Sequence, residues 1–161
     1  MKKMLEMPDD ARIWIYQADR FLTEVEIVRI KTEITSFLAT WSSHGAQMDS
    51  SFEVLHHRVL IIAVNESQAL ASGCGIDKSV NFVKQLGSEM GLDFFNRTLV
   101  LYDNQGVIAE APLHQFWAMR KALIIQDETL VLDTTLQALG QLRAGFLRKF
   151  QDSWHAEMWG R

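Results

Sequence analysis

The chain has 161 residues, 48% of them hydrophobic and 22% charged, with only 9 glycines and 2 prolines. At roughly 100–200 residues per domain this is material for one domain that buries about 70% of its unfolded surface, which excludes disorder, collagen-like repetition and a disulfide scaffold. Lys and Arg total 16 against 20 Asp and Glu, a net charge of −4, so the overall field opposes phosphate backbones and argues against nucleic-acid binding.

Cys74 is the single cysteine; no intramolecular disulfide can form, and a reducing compartment is expected. At the start, Met1–Ala11 reads as a loose leader: Glu6, Pro8, Asp9 and Asp10 follow Lys2 and Lys3 too closely for the apolar core of a signal peptide. The longest apolar runs, such as Val59–Val64, are far short of the ~18 residues of a membrane span. A cytoplasmic protein without membrane contact is expected.

Arg12–Gln17 alternates apolar and polar residues and reads as a strand. Thr23 and Glu26 then form a capping box, with Leu22 and Ile27 placed as a hydrophobic staple. Ile27, Ile30, Ile34, Phe37, Leu38 and Trp41 recur at helical spacing, so a helix is predicted from about Thr23 to Ser43, stopped by Gly45. Residues 51–64 read as a hairpin interrupted at His56-His57-Arg58, its second strand apolar enough to be buried on both faces. Without a favoured turn pair at the interruption, one bent strand remains an alternative.

Asn65–Gly75 is small and polar, hence a loop; Ile76, Val80, Val83, Leu86 and Met90 mark a second helix, with Asp77 as its expected N-cap and Gly91 as its stop. Arg97–Tyr102 is a strand, Asp103–Gly106 a turn and Val107–Ala111 a return strand. Pro112 can open a third helix carrying Leu113, Phe116, Trp117 and Leu123. Thr129–Leu132 suggests a short strand, and Leu136, Leu139, Leu142, Phe146 and Phe150 a last helix, capped by Asp133 or Thr134 and weakened by Gly140 and Gly145. Arg143, Arg148 and Lys149 would lie on its solvated face. The first six elements, βαββαβ, match the split βαβ of ferredoxin-like folds, so the expected class is α+β with that core, an added hairpin strand and C-terminal helices.

No complete catalytic or metal motif is present. In Ser72-Gly73-Cys74-Gly75-Ile76-Asp77-Lys78-Ser79, Ser72 and Asp77 occupy the places where a phosphate-binding Walker loop requires glycine. A thiol just ahead of a helix would meet unpaired amides and the positive end of the helix dipole, both of which favour thiolate. Cys74 is therefore a candidate nucleophile or redox centre, with His44 or His155 as base, Asp77 as orienting carboxylate, and Trp41, Gly73, Gly75 and Trp154 as pocket lining. The alternative is a small buried hydrophobe flanked by turn glycines. No metal site is expected: His-x-x-x-His and Cys-x-x-Cys are absent, and adjacent His56 and His57 would point to opposite strand faces or sit in a turn. Nothing in the sequence brings Glu53 and Glu110 together as paired carboxylates.

Trp14-Ile15-Tyr16-Gln17, Trp41-Ser42-Ser43-His44-Gly45, the Ser72–Ser79 string and Ser153-Trp154-His155 together resemble a family of small uncharacterised bacterial proteins, mostly from the Bacteroidetes, which often carry an automatic ABC transporter ATPase label. The resemblance covers most of the chain from Trp14 to His155. It implies no established activity, but its strings fall on Trp41, His44, Gly45, Cys74, Asp77, Trp154 and His155, the residues already singled out. The function expected first is binding of a small molecule or a protein without catalysis and without a cofactor; a second copy of the chain would be one such partner, through an apolar sheet face or the tail at Trp154 and Trp159. A thiol-dependent enzyme or redox protein is the alternative, and a nucleotide hydrolase the least supported.

Overall fold

The computed structural model describes residues 3–159, so Met1 and Lys2 of the expected leader lie outside it. Within those residues antiparallel sheets and helices alternate in an α+β architecture. Strand β1 (Arg12–Gln17) leads to α1 (Glu24–Thr40). The capping box forms as expected: Glu26 N–H donates to Thr23 Oγ1 (3.3 Å), and Thr23 N–H donates to Glu26 Oε2 (2.9 Å). Arg20 adds a two-pronged contact to the Glu26 carboxylate, and these donors hold its pKa down at about 2. The buried stripe is Ile27, Ile30, Ile34 and Leu38.

The helix ends before Gly45. Trp41 turns extended (φ −72°, ψ 117°) and leads into a small ribbon, β2 (Ser42–Ser43) and β3 (Ala46–Gln47). Its two-residue turn is His44-Gly45 at φ 50° and 81°, so Gly45 serves a hairpin turn of the primed kind instead of stopping a helix. Strands β4 (Asp49–Leu55) and β5 (Val59–Asn65) form the expected hairpin, with Leu55 opposite Val59. His56 and His57, both near φ 50°, make the turn that no glycine was available to make (φ 53° and 52°). Val59–Val64 is completely buried, because β5 is the central strand of a sheet ordered β1-β5-β4.

Helix α2 (Gly73–Met90) begins earlier than its apolar period suggests. Ser72 is the N-cap, its Oγ accepting from Gly75 N–H (3.1 Å), which corrects Asp77 as the cap and places Cys74 inside the first helical turn. A capping serine inside a polar run, followed by low-propensity glycines, reads locally as loop. Gly91 ends the helix in the left-handed conformation (φ 64°), with Leu92 N–H donating back to Gly87 O (2.8 Å).

Strands β6 (Leu99–Asn104) and β7 (Val107–Pro112) pair around a turn at Gln105-Gly106, and α3 (Leu113–Lys121) follows Pro112 directly. Leu123 lies beyond α3 and is exposed. After β8 (Leu130–Leu132) the predicted long helix does not form. Only α4 (Leu139–Ala144) is helical; Gly145 turns extended and β9 (Leu147–Lys149) pairs with β8, followed by a 3-10 turn (Phe150–Asp152) and α5 (Trp154–Trp159). Each glycine costs a helix about 1 kcal/mol relative to Ala, whereas pairing with β8 satisfies backbone groups that would otherwise line an open edge. Phe146 and Phe150 therefore reach the core from either side of a strand.

The second sheet is ordered β7-β6-β8-β9. Leu60, Ile62 and Val64 of β5 face α1 and α2 in one core; Val59, Ile61 and Ala63 face Leu101, Leu132, Leu139 and Phe146 in another, a period-2 alternation that sandwiches the strand. The leader is docked: Met4 and Met7 are buried in that second core, and Arg143 donates to the carbonyls of Met4, Leu5 and Met7 (3.2, 3.1 and 2.7 Å) and pairs with Asp9. Arg148 and Lys149 lie on β9, paired with Asp133 (3.5 Å) and Glu128 (2.7 Å), so the three basic residues share no helix face. The strand after α2 in a ferredoxin-like sheet would lie along β1. Here β6 pairs with β7 and β8, and its approach to β1 is limited to a parallel bridge between Gln17 and Phe95 and a Gln17 Nε2–H bond to Leu99 O (3.0 Å).

Candidate functional site

The expected thiol constellation is spread over two places. Cys74 is exposed on the first turn of α2, and His44 and Asp77 are exposed as well; among the described residues none of the three side chains makes a hydrogen bond or an ion pair. Trp41 and Gly75 do meet: the indole Nε1–H donates to Gly75 O (2.9 Å), fastening the end of α1 to the start of α2. Trp41 also borders a shallow groove of about 430 Å³ with Phe37, Phe82 and Lys78. Gly73 has open space around it, and Gly75 packs against Ser72 and Ser43. The amides of Gly75 and Ile76 are already taken by Ser72 Oγ and Ser72 O (3.1 and 2.9 Å). The turn thus offers little of the amide cradle that a phosphate would need.

His155 lies elsewhere. It is buried among the rings of Phe116 and Trp154, stacked on the latter at 3.9 Å, with Nδ1 3.2 Å from Ser153 Oγ. Burial pushes its pKa down to about 4, partly offset by the Asp133 carboxylate, so the ring is neutral near pH 7. His56 packs on Phe146 and His57 faces Glu24 Oε1 at 3.4 Å, so the adjacent histidines turn to different neighbours. Glu110 is engaged by Arg58, and Glu53 accepts from Val54 N–H, so these carboxylates do not form a pair. No cluster of three or more His, Cys, Asp or Glu side chains suited to a metal occurs among the described residues.

His155 and Trp154 instead line a cavity of about 660 Å³ between β1 and β6. Residues 12–17 of β1 form one wall, residues 94–97, 99–101, 132 and 134–137 the other, with Val80 of α2 and the start of α5 closing it. None of Cys74, His44 and Asp77 reaches it. Ile13 N–H donates across to Gln137 O (3.0 Å) at one end, and the Gln17–Phe95 bridge closes the other. Alternation along an antiparallel strand then turns the N–H and C=O of Ile15 to this same edge, where no strand of the described residues lies alongside.

Two of the lining residues, Tyr16 and Trp154, each carry a polar side-chain atom, Tyr16 Oη and Trp154 Nε1, that is sealed from solvent and makes no hydrogen bond within normal geometry. Burial pushes the Tyr16 pKa up, countered in part by the Ser79 hydroxyl, which itself donates to Ile76 O (2.8 Å). A buried polar atom left unpaired costs on the order of 1–3 kcal/mol. Of the lining residues, the sequence marks only Trp154 and His155 as candidate site residues, and Trp14–Gln17 only as one string of the family resemblance. Arg12, Tyr16, Gln17, Arg97 and Gln137 carry no local mark of a site, since they converge only through the tertiary fold.

No family model matches the chain, and no curated protein or solved structure is detectably similar to it. No helix among the described residues is long and apolar enough to cross a membrane.

Proposed function

We propose that the protein is a small-molecule-binding α+β domain that does no chemistry of its own, and that the cavity between β1 and β6 is its binding site. We read the architecture as a split βαβ unit of ferredoxin-like descent whose last strand has been drawn away from β1, leaving room for a ligand where a sheet would otherwise close. The observation that carries this reading is the cavity itself, walled by β1, β6, β8, α2 and α5 and lined by Trp14, Tyr16, Phe94, Phe95, Trp154 and His155. The cavity's size, about 660 Å³, falls in the usual range for ligand sites, and aromatic walls with a few polar groups are their common composition.

Native mass spectrometry of the chain purified from its host tests this directly, with a noncovalently bound small molecule as the expected result. Tyr16→Phe should leave the ligand-free Tm unchanged or slightly raised, because a buried hydroxyl without a hydrogen bond is removed, and should leave ligand retention intact. Cys74→Ser should change neither. Absence of any bound small molecule would count against the reading; loss of binding in Cys74→Ser would favour the thiol-dependent alternative.

A further inference from the structure

The edge of β1 that borders the cavity has a gap in its backbone hydrogen bonding. Two bonds fix which residues face that edge: Ala18 N–H donates inward to Arg58 O at the end of the β1–β5 ladder (2.9 Å), and Ile13 N–H donates outward to Gln137 O (3.0 Å). Alternation therefore turns the backbone groups of Trp14 and Tyr16 toward β5, and those of Ile13, Ile15 and Gln17 toward the cavity. At one end the edge is met by residues 137–139, with Leu139 N–H donating to Ala11 O (2.9 Å), and at the other by the bridge from Gln17 to Phe95. Between them, the outward N–H and C=O of Ile15 have no partner among the described residues. Ile13, Gln137, Gln17 and Phe95 all line the cavity, as does Ile15, so its two groups point across the space that those contacts span.

The opposite wall has a matching gap. β8 joins β6 only at Tyr102–Val131, so Leu99 and Val100 have no strand residue paired on the side from which Gln17 Nε2–H reaches Leu99 O (3.0 Å). A strand is thus missing between β1 and β6. The apolar lining suits the same shape: Trp14, Tyr16 and Phe94 belong to the core under α1 and α2, whereas Ile13, Leu101 and Leu132 belong to the core between the sheets. Successive side chains of an extended chain point to opposite faces, so a strand in this place lays them alternately against the two sets. Its length is limited. Ile13 to Gln17 spans about 13 Å at ~3.3 Å per residue, and a longer segment could not run through without breaking the contacts that close both ends.

Resting on the cavity reading above, we infer that the ligand is a short apolar peptide of about three residues, bound extended along the free edge of β1. One of its residues exchanges both N–H···O bonds with Ile15, as an antiparallel partner does. The main-chain bonds supply affinity, and the two apolar sets select side chains.

The probe is acetyl-Leu-Val-Leu-amide, blocked at both ends so that no charge contributes, titrated against the isotope-labelled full chain. Tryptophan fluorescence gives its affinity, and residue-resolved amide hydrogen exchange by NMR reports on Ile15. In the free chain the Ile15 amide is expected to exchange about tenfold faster than those of Trp14 and Tyr16, which are bonded to β5, and to slow to their level at saturation. The same peptide with every backbone nitrogen methylated keeps its side chains and loses its donors, and should bind about tenfold more weakly. Equal affinity for the two peptides, or binding that leaves Ile15 exchange unchanged, would overturn the strand-like pairing while leaving a binding cavity. An Ile15 amide as slow as its neighbours in the free chain would overturn it too, since the gap would then be filled from within the chain. If the peptide does not bind, the inference fails, and native mass spectrometry judges the cavity reading separately: a bound molecule other than a peptide keeps that reading, and no bound molecule removes both.

Discussion

The guanidinium of Arg58, wholly buried at the turn between β4 and β5, meets the carboxylate of Glu110 on β7 and so ties the first sheet to the second. Its Nε–H also donates to Ala18 O (2.8 Å), and the Phe21 ring covers it at 4.7 Å. Burial pulls the Arg58 pKa down, and Glu110 and then Asp19 oppose that pull. Removing one partner of such a pair costs more than replacing the charge itself. Glu110→Ala is therefore expected to lose on the order of 2–4 kcal/mol, since it strands a buried cation, and Arg58→Met about 1–2 kcal/mol, mainly for the unsatisfied Ala18 carbonyl. Urea denaturation of the two variants checks the order; a larger loss for Arg58→Met would refute it.

His155 should make stability depend on pH. Its pKa is about 4 in the folded chain against an ordinary 6.5, so between those values the unfolded chain holds a proton that the folded chain does not. Stability is then full above about pH 6.5 and falls as pH drops toward 4, by on the order of 3 kcal/mol in all. His155→Gln should flatten that segment of the Tm-against-pH curve relative to the parent chain. Parallel curves for the two proteins between pH 4 and 6.5 would show that the ring titrates normally.

The glycines of α2 should respond in opposite ways to the same substitution. A Cβ at Gly73 meets nothing within 4 Å, whereas one at Gly87 would sit 2.6 Å from Leu92 O, inside the contact that ends the helix. Gly73→Ala is expected to be neutral or to stabilise by up to about 1 kcal/mol, the difference in helix propensity. Gly87→Ala should destabilise by ~2 kcal/mol or more, because backbone cannot yield as a flexible side chain would. Thermal melts of both variants provide the comparison.

Arg143 is the clamp that holds the N-terminal segment. Arg143→Ala removes its contacts to three leader carbonyls and to Asp9, and should raise amide exchange across Met4–Asp9 well before it affects β5. The global Tm should fall only slightly, since local opening can occur without global unfolding. Uniform loss of protection in β5 would show instead that the leader and the core unfold together.

Local chemistry fixes much of this fold. The capping box at Thr23, the apolar stripe of α1, the unbroken run Val59–Val64 and the Gly91 stop are contests settled within a few residues, and the sequence predicts each where it occurs. The same holds for the β6–β7 turn and for Pro112 before α3. The last third was not legible, because the leucines from Leu136 onward keep helical spacing while the open edge of β8 offers a competing partner. That edge exists only once β6 and β8 have come together.

The site follows the same division. Residue types and spacing pointed to Cys74 with His44, Asp77 and His155 because sequence motifs register residues that lie near one another in the chain. Distance in the fold obeys other rules: Cys74 is on the surface of α2, while His155 is carried by α5 into the wall of a cavity that needs β1, β6, β8 and α2 all in place. Sequence alone sets the helix caps, the strand alternation and the net negative charge. Whether residues of β1, β6, β8, α2 and α5 line one cavity is decided by how far β6 stands from β1, a packing distance that no local pattern encodes.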